Sequence, residues 1–545
     1  MFSIICQCVG VETPPTELKR SDILDRAKTA VVIVVPYDAA GKKLNTGTGF
    51  VISEDGLVAT AWHVIAGAAK VKAMRQNGAA LVADGVVAWD VVQDYAILKV
   101  SGKKLPYLDL GDSDALTPGQ KVIAVGKIVG IEQLVVDGTI SAMRTPPSAP
   151  KLMQITAKVQ PRAAGGPVLN MAGEVIGVAS CLSAAGQDVS FAVPINVLKP
   201  VLTGDIKVTP VNKIVPDEAS IAKSLYLKGM LALPENSKVT DAKKKYEAAL
   251  GLFLQAVDKK KDYAKARFYA AYCLALLGRN QEAIDSYKRT VRIKPDYADA
   301  YFGMGLTYVN MGYIQDAVQS FQEAIHLNPD FADAHYNLAL LYVQQGWSKE
   351  AEESLKQVIR IDPNYVEAYY NLGVGYVEQG KYASAVDSFK QAIRIKPDLS
   401  QAYFGLGIAL MNQGFDQDAS DAFKQIIRIT PDNANAHFSL GQCYMKLSRY
   451  QDAVDSLKQA IRLDPQDADA YCQIGAAYDK LGRSDDAMDS YKQASRIDPT
   501  SASALYNLGA MYVQRQDRSS ALETYKSLKA LDPTLAEKLF KLIYP

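Results

Sequence analysis

Ala332-Asp333-Ala334-His335-Tyr336-Asn337-Leu338-Ala339 opens a stretch that runs through Gly346 and Ala351 to Pro363, and its landmarks return every 34 residues. Prolines stand at Pro295, Pro329, Pro363, Pro397, Pro431, Pro465, Pro499 and Pro533. Alanine keeps the same step from Ala283 to Ala521, and a small residue keeps it from Gly305 through Ala339 and Gly373 to Gly509. Glycine recurs between them in most units, as at Gly312, Gly346 and Gly380. Each landmark has a physical task. Small residues let two helices cross closely, glycine breaks the chain between them, and proline ends the second helix. A pair of short helices cannot bury its apolar face alone, whereas a stack of pairs can, so the period predicts an all-α solenoid.

This 34-residue helix-turn-helix pattern resembles the tetratricopeptide repeat. The resemblance covers residues 264–535 as eight regular units, with a degenerate helical pair at 219–263 before them and a capping helix at 536–545 after them. In such arrays the first helix of each unit lines a concave groove. Counting from Ala298 as the first position of its unit, the fifth positions are Phe302, Tyr336, Tyr370, Phe404, Phe438, Cys472 and Tyr506. The ninth positions add Leu306, Leu340, Val374 and Ile408. Other positions already supply packing between helices, so the aromatic ladder is expected to face the groove and bind a protein or peptide partner. Acidic second positions (Asp299, Asp333, Glu367, Asp469) and the lack of lysine at the fifth argue for an apolar or basic ligand over a carboxylate-terminated one.

The chain before this array has a different texture. Short Val- and Ile-rich runs at 30–35, 49–52, 58–60, 96–100 and 122–125 alternate with Gly, Asp and Pro, as in an all-β sandwich or barrel. That texture ends near Leu202, and a polar segment with Pro210 and Pro216 follows. The expected organisation is a tail at 1–21, a β domain at 22–205, a linker at 206–218 and then the helices.

Seven short stretches in the β domain belong together. Thr46-Gly47-Thr48-Gly49-Phe50-Val51-Ile52 precedes Val58-Ala59-Thr60-Ala61-Trp62-His63-Val64-Ile65. Asp94-Tyr95-Ala96-Ile97-Leu98-Lys99-Val100 follows, with Leu110-Gly111-Asp112-Ser113-Asp114 and Gly119–Gly126 beyond it. Pro161-Arg162-Ala163-Ala164-Gly165-Gly166-Pro167 then leads to Gly173–Val178. Together they resemble an HtrA-like, trypsin-fold serine protease, which implies an all-β double barrel. The resemblance makes His63 the general base, Asp94 the carboxylate that orients it and residue 164 the nucleophile, in the chain order of the chymotrypsin type. Lone histidines and turn aspartates are more often structural; the flanking residues overturn that reading here.

Residue 164 is alanine. A methyl group cannot attack a carbonyl or give up a proton, so the chain is expected to bind polypeptide and barely cut it. Backbone N–H groups of Arg162, Ala163 and Ala164 are the candidate oxyanion hole, although Arg162 and Ala163 also depart from the family's Gly and Asn or Ser. Ala164 therefore has two readings. It is a replacement of serine in an otherwise intact protease, favoured by the retained His63 and Asp94, or it marks a pseudoprotease that serves as a peptide-binding scaffold. Lys158 aligns with the base of the primary substrate pocket, where a buried ammonium would select an acidic side chain; a solvated lysine is the alternative.

The bulk numbers exclude other classes. In 545 residues, 60 Lys and Arg nearly cancel 59 Asp and Glu, which favours neither nucleic acid nor an anionic membrane. Six scattered cysteines do not form a disulfide framework. Met1 to Val11 is apolar but short, and reads as a tail or first strand more readily than as an export signal or a lipidated Cys6/Cys8 pair. The expectation is a soluble protein, cytoplasmic in preference to exported. His63, His326, His335 and His437 lack ligand spacing, and no phosphate-cradling loop occurs, so no metal or cofactor is expected.

Overall fold

The computed structural model describes residues 17–128, 131–144, 151–180, 190–203, 206–234 and 239–545. Most of the tail, with Cys6 and Cys8, lies outside these residues, as does Cys181. The chain forms two compact units, residues 1–320 and 321–545.

The first unit opens with helix α1 (Arg20–Ala30) and continues into six strands: β1 (Val31–Tyr37), β2 (Gly47–Val51), β3 (Leu57–Thr60), β4 (Lys70–Met74), β5 (Ala80–Asp90) and β6 (Tyr95–Val100). These close an antiparallel barrel in the order β1-β2-β3-β6-β5-β4. A one-turn helix, α2 (Trp62–Ile65), leaves the end of β3. Six further strands follow: β7 (Lys121–Ile128), β8 (Ile131–Arg144), β9 (Leu152–Ile155), β10 (Pro167–Leu169), β11 (Val175–Ser180) and β12 (Ser190–Pro194). They close a second barrel in the order β10-β11-β12-β9-β8-β7. Closure leaves no sheet edge open for stray pairing. It also explains the composition: the inner faces of β2, β3, β10 and β11 are so well covered that every residue of these strands is buried. The double barrel expected from the sequence is the fold observed.

Helices α3 (Glu218–Ala232) and α4 (Val239–Lys259) come next, then α5 (Ala264–Leu276), α6 (Asn280–Ile293) and α7 (Ala298–Met311). Leu227 and Leu231 of α3 are buried with Leu152 and Phe191 of the second barrel, and this apolar contact ties the first helices to the β structure. Helix α8 (Ile314–Leu327) follows.

The second unit contains α9 (Ala332–Gln344), α10 (Ser348–Ile361), α11 (Val366–Glu378) and α12 (Tyr382–Ile395); the pairs continue to residues 518–531, and a last helix spans Pro533–Ile543. The period becomes intelligible in three dimensions. The ring of Phe389 in α12 is fully buried, and a Cβ on Gly373 would come within 2.7 Å of it, so the small residue is a seat for the ring. Between helices, Gly346 and Gly380 adopt left-handed φ values of 75° and 71°; in the units that lack the glycine, Ser448 and Gln516 take the same conformation.

Candidate active site

His63 is carried by α2, at the point where the chain leaves β3. Asp94 sits in the tight turn between β5 and β6 with φ 62°, a left-handed conformation that aspartate tolerates better than most residues. Asp90 shapes that turn: its Oδ1 accepts the backbone N–H groups of Val92 and Gln93 at 2.7 and 2.8 Å. The turn aims Asp94 at the histidine. His63 Nδ1 lies 2.9 and 2.8 Å from the two carboxylate oxygens, and the His63 backbone N–H donates to Oδ1 at 3.0 Å. The structure thus brings this pair together across 31 residues of sequence.

The two members differ sharply in exposure. The His63 side chain is 34% exposed and that of Asp94 only 4%. Burial by itself raises the Asp94 carboxyl, but hydrogen bonds and charge from His63, and a hydrogen bond from Ser180, outweigh it and hold the group below its ordinary value. Asp94 is therefore held as an anion beside a histidine whose side chain is partly open to solvent. Ser180, at the end of β11, donates its hydroxyl to Asp94 Oδ2. The sequence reading missed Ser180. Its signal was a single hydroxyl closing the apolar run Val175–Ala179, a polar group that burial obliges to find a partner.

Ala164 is fully buried and follows a 3₁₀ turn at Pro161–Ala163. Its carbonyl accepts the Thr48 backbone N–H at 2.9 Å, and the next amide, Gly165 N–H, donates to Ala179 at 2.7 Å. Gly165 has φ 86°, and a Cβ there would overlap the Thr48 carbonyl. The Gly-Gly-Pro sequence is thus a steric requirement for laying this loop against the first barrel. Two of the three candidate oxyanion donors are occupied: Ala163 N–H donates to Gln160 at 2.8 Å and Ala164 N–H to Pro161 at 3.3 Å.

Lys158 is exposed in the segment after β9. Its exposure suits the solvated lysine more readily than an ammonium buried at a pocket floor. Residues 181–189, which follow Ser180, lie outside the described residues.

The expected partner ladder is half-buried. Tyr370 stacks obliquely on Phe389 with ring centroids 6.0 Å apart, and Phe404 meets Phe423 edge-on at 5.7 Å. Tyr336 lies 5.0 Å from the Tyr365 ring and accepts the Asn371 amide at 3.0 Å. Tyr336, Tyr370, Phe404 and Phe438 all pack against the core of the second unit, and Phe302 and Tyr506 are likewise half-buried. These rings therefore join the helix packing from which the sequence reading had set them apart. More open apolar groups in and just after α9 include Leu340, Val343 and Trp347, which are 40, 50 and 42% exposed.

Family profiles agree with both halves of the architecture. The trypsin-like peptidase domain matches residues 47–178. TPR repeat profiles match 271–312, 311–346 and 332–365, and the C-terminal domain of cilia and flagella-associated protein 70 matches 363–537. HhoB of Synechocystis sp. is 37% identical over 168 residues, 30% of this chain and 40% of that protein. The probable periplasmic serine endoprotease DegP-like of Halomonas elongata is 40% identical over 162 residues, 29% of this chain and 34% of that one. Among solved structures, the HtrA-type protease AlgW with tripeptide aligns at 27% identity with a TM-score of 0.32, covering 35% of this chain and 64% of that one. The chain thus spans 40% or less of the length of these two curated relatives. It carries an HtrA-like trypsin-type domain followed by tetratricopeptide repeats. Among the described residues no helix is long and apolar enough to cross a membrane.

Proposed function

We propose that the double barrel is a serine-endopeptidase-type domain that receives polypeptide at His63 and Asp94, targeted or regulated by the repeats, and that it does not cleave while residue 164 is alanine. The observation that carries this reading is Asp94. A carboxylate taken out of water is expensive to keep ionised, yet this one is aimed at a half-accessible histidine and satisfied by the His63 ring, the His63 backbone and Ser180.

With a serine at 164, acyl transfer would run through two successive displacements. The hydroxyl oxygen bonds to the scissile carbonyl carbon while His63 Nε2 takes its proton. The C–N bond then breaks and His63 returns the proton to the leaving amine. Water repeats the attack and frees the acyl group. Asp94 keeps the tautomer in which Nδ1 carries hydrogen and stabilises the imidazolium.

The repeats supply the second half of the proposal. Half-buried aromatics beside exposed Leu340, Val343 and Trp347, with acidic Asp333 and Glu367 on the same first helices, suit an apolar peptide or helix carrying basic residues. An exported location is favoured over the cytoplasm, because the DegP-like relative is named as periplasmic.

Ala164→Ser in the full chain is the test. Its introduced hydroxyl should react with a fluorophosphonate and hydrolyse an unfolded protein, while the unaltered chain does neither. A second reading, that the domain is a pseudoprotease used only for binding, is favoured by one observation: the Ala164 N–H is already bonded to Pro161. Failure of the serine variant both to label and to cleave, with melting unchanged, would leave that reading standing.

A further inference from the structure

An acyl-transfer site of this chain order stabilises the oxyanion with two backbone N–H groups, that of the nucleophile and that of the residue two before it. Here they belong to Ala164 and Arg162. Both must be unoccupied and must converge on one point. The Ala164 N–H instead donates to the carbonyl of Pro161, closing the 3₁₀ turn.

That single bond disables the second donor as well. A trans peptide unit is planar, with its C=O and N–H pointing in opposite directions. The Pro161 carbonyl and the Arg162 N–H share one such unit. With the carbonyl directed at Ala164, the Arg162 N–H is directed away from the spot where the two donors should meet.

The surroundings leave only one peptide free to correct this. Thr48 is fully buried in β2 and holds the loop on both sides: its hydroxyl, shared with the Lys127 carbonyl, lies 3.3 Å from the Arg162 carbonyl, and its N–H reaches the Ala164 carbonyl at 2.9 Å. Rotating the 161–162 unit alone would release the Ala164 N–H and bring in that of Arg162. The proline ring does not oppose it, since the ring restrains φ and the rotation changes ψ. The obstacle is residue 162. A helical φ of about −60° would become about +120°, a region open to glycine and closed by a Cβ. Arg162 is not among the positive-φ residues of the structure.

We propose that the Pro161 carbonyl is a built-in occupant of the oxyanion hole and that the backbone of Arg162, through its Cβ and independently of its charge, is the positioning residue that latches it there. The inference rests on reading His63, Asp94 and residue 164 as peptidase machinery, and it predicts that restoring the hydroxyl alone gives a slow enzyme.

The experiment compares full-length Ala164→Ser with Ala164→Ser/Arg162→Gly and Ala164→Ser/Arg162→Ala, on a fluorogenic unfolded-protein substrate and a fluorophosphonate label. The glycine variant should raise kcat by about 10²- to 10³-fold over the serine variant, the range associated with one oxyanion donor, with KM little changed. The alanine variant should stay close to the serine variant, because it removes the guanidinium but keeps the Cβ. Equal kcat with arginine and glycine would overturn the latch, as would equal rescue by alanine and glycine. Absence of labelling and cleavage in all three, with melting intact, would sink the underlying peptidase reading and the latch with it. Amide exchange gives a readout that needs no turnover: in the chain with Ala164 retained, Arg162→Gly should speed exchange at the Ala164 N–H and Arg162→Ala should not. No difference between them would also count against the latch.

Discussion

The barrels and the repeats build their stability on different length scales. In the repeats, Phe389 is packed by glycines of its own and the following unit, so each contact is local and the next pair restates it. In the barrels, the decisive contacts join distant segments: Asp94 with Ser180 across 86 residues, and Thr48 with Arg162 across 114. A damaged repeat should therefore fail locally, whereas a damaged barrel loop should fail as a whole.

Gly165→Ala is expected to have the largest effect, because it puts a Cβ against the Thr48 carbonyl at a φ of 86°. The cost should be about 4 kcal/mol or more, enough to abolish the cooperative β transition while most helical circular dichroism persists. Survival of the barrel transition would show that the loop can move off the first barrel. Phe389→Ala removes a fully buried ring and should cost about 3–5 kcal/mol. Its signature in hydrogen exchange should be confined to the neighbouring helices; a loss of protection in the barrels would break the contrast between local and global failure.

The ladder lies between these cases. Because Tyr336 and Tyr370 are half-buried and pack on the core, alanine at both should lower stability by about 1–3 kcal/mol as well as weaken partner binding by tenfold or more. Tyr336→Phe keeps the ring and loses only the acceptor used by Asn371, so binding through the ring should survive it. If the double variant binds normally when corrected for its folded fraction, the ladder is packing alone.

A smaller effect concerns charge. Hydrogen bonds from Lys356 above all, against the opposing pull of desolvation and with help from Tyr376 and Lys381, lower the Glu352 carboxyl from 4.5 to about 2. A depressed folded value means that its contribution is present above pH 4.5 and is lost as pH falls towards 2. Glu352→Gln should lower stability near neutrality by about 1 kcal/mol, with the deficit shrinking in acid. A deficit that is constant with pH would exclude the ion pairs as its source. The smallest expected change is that of Lys158→Ala, an exposed position where melting should move by less than about 0.5 kcal/mol. In the serine-restored chain it should leave the cleavage profile unaltered. Loss of a preference for acidic residues would return Lys158 to the substrate pocket.

The order of residues was enough to reveal the repeats, because a local, periodic architecture writes its packing into a period: prolines at helix ends, glycines in the turns, small residues under the rings. It also sufficed for the double barrel and for picking out His63 and Asp94, which lie in short motifs and which the fold brings within hydrogen-bond reach. It could not disclose the partner of Ser180, which is a turn in the other barrel, nor that the ladder rings rest on neighbouring helices. Above all, it could not tell which way the peptide between Pro161 and Arg162 points. That orientation shows only in the bond from the Ala164 N–H to the Pro161 carbonyl, in a loop that Thr48, far away along the chain, holds by the Arg162 and Ala164 carbonyls once the two barrels are folded.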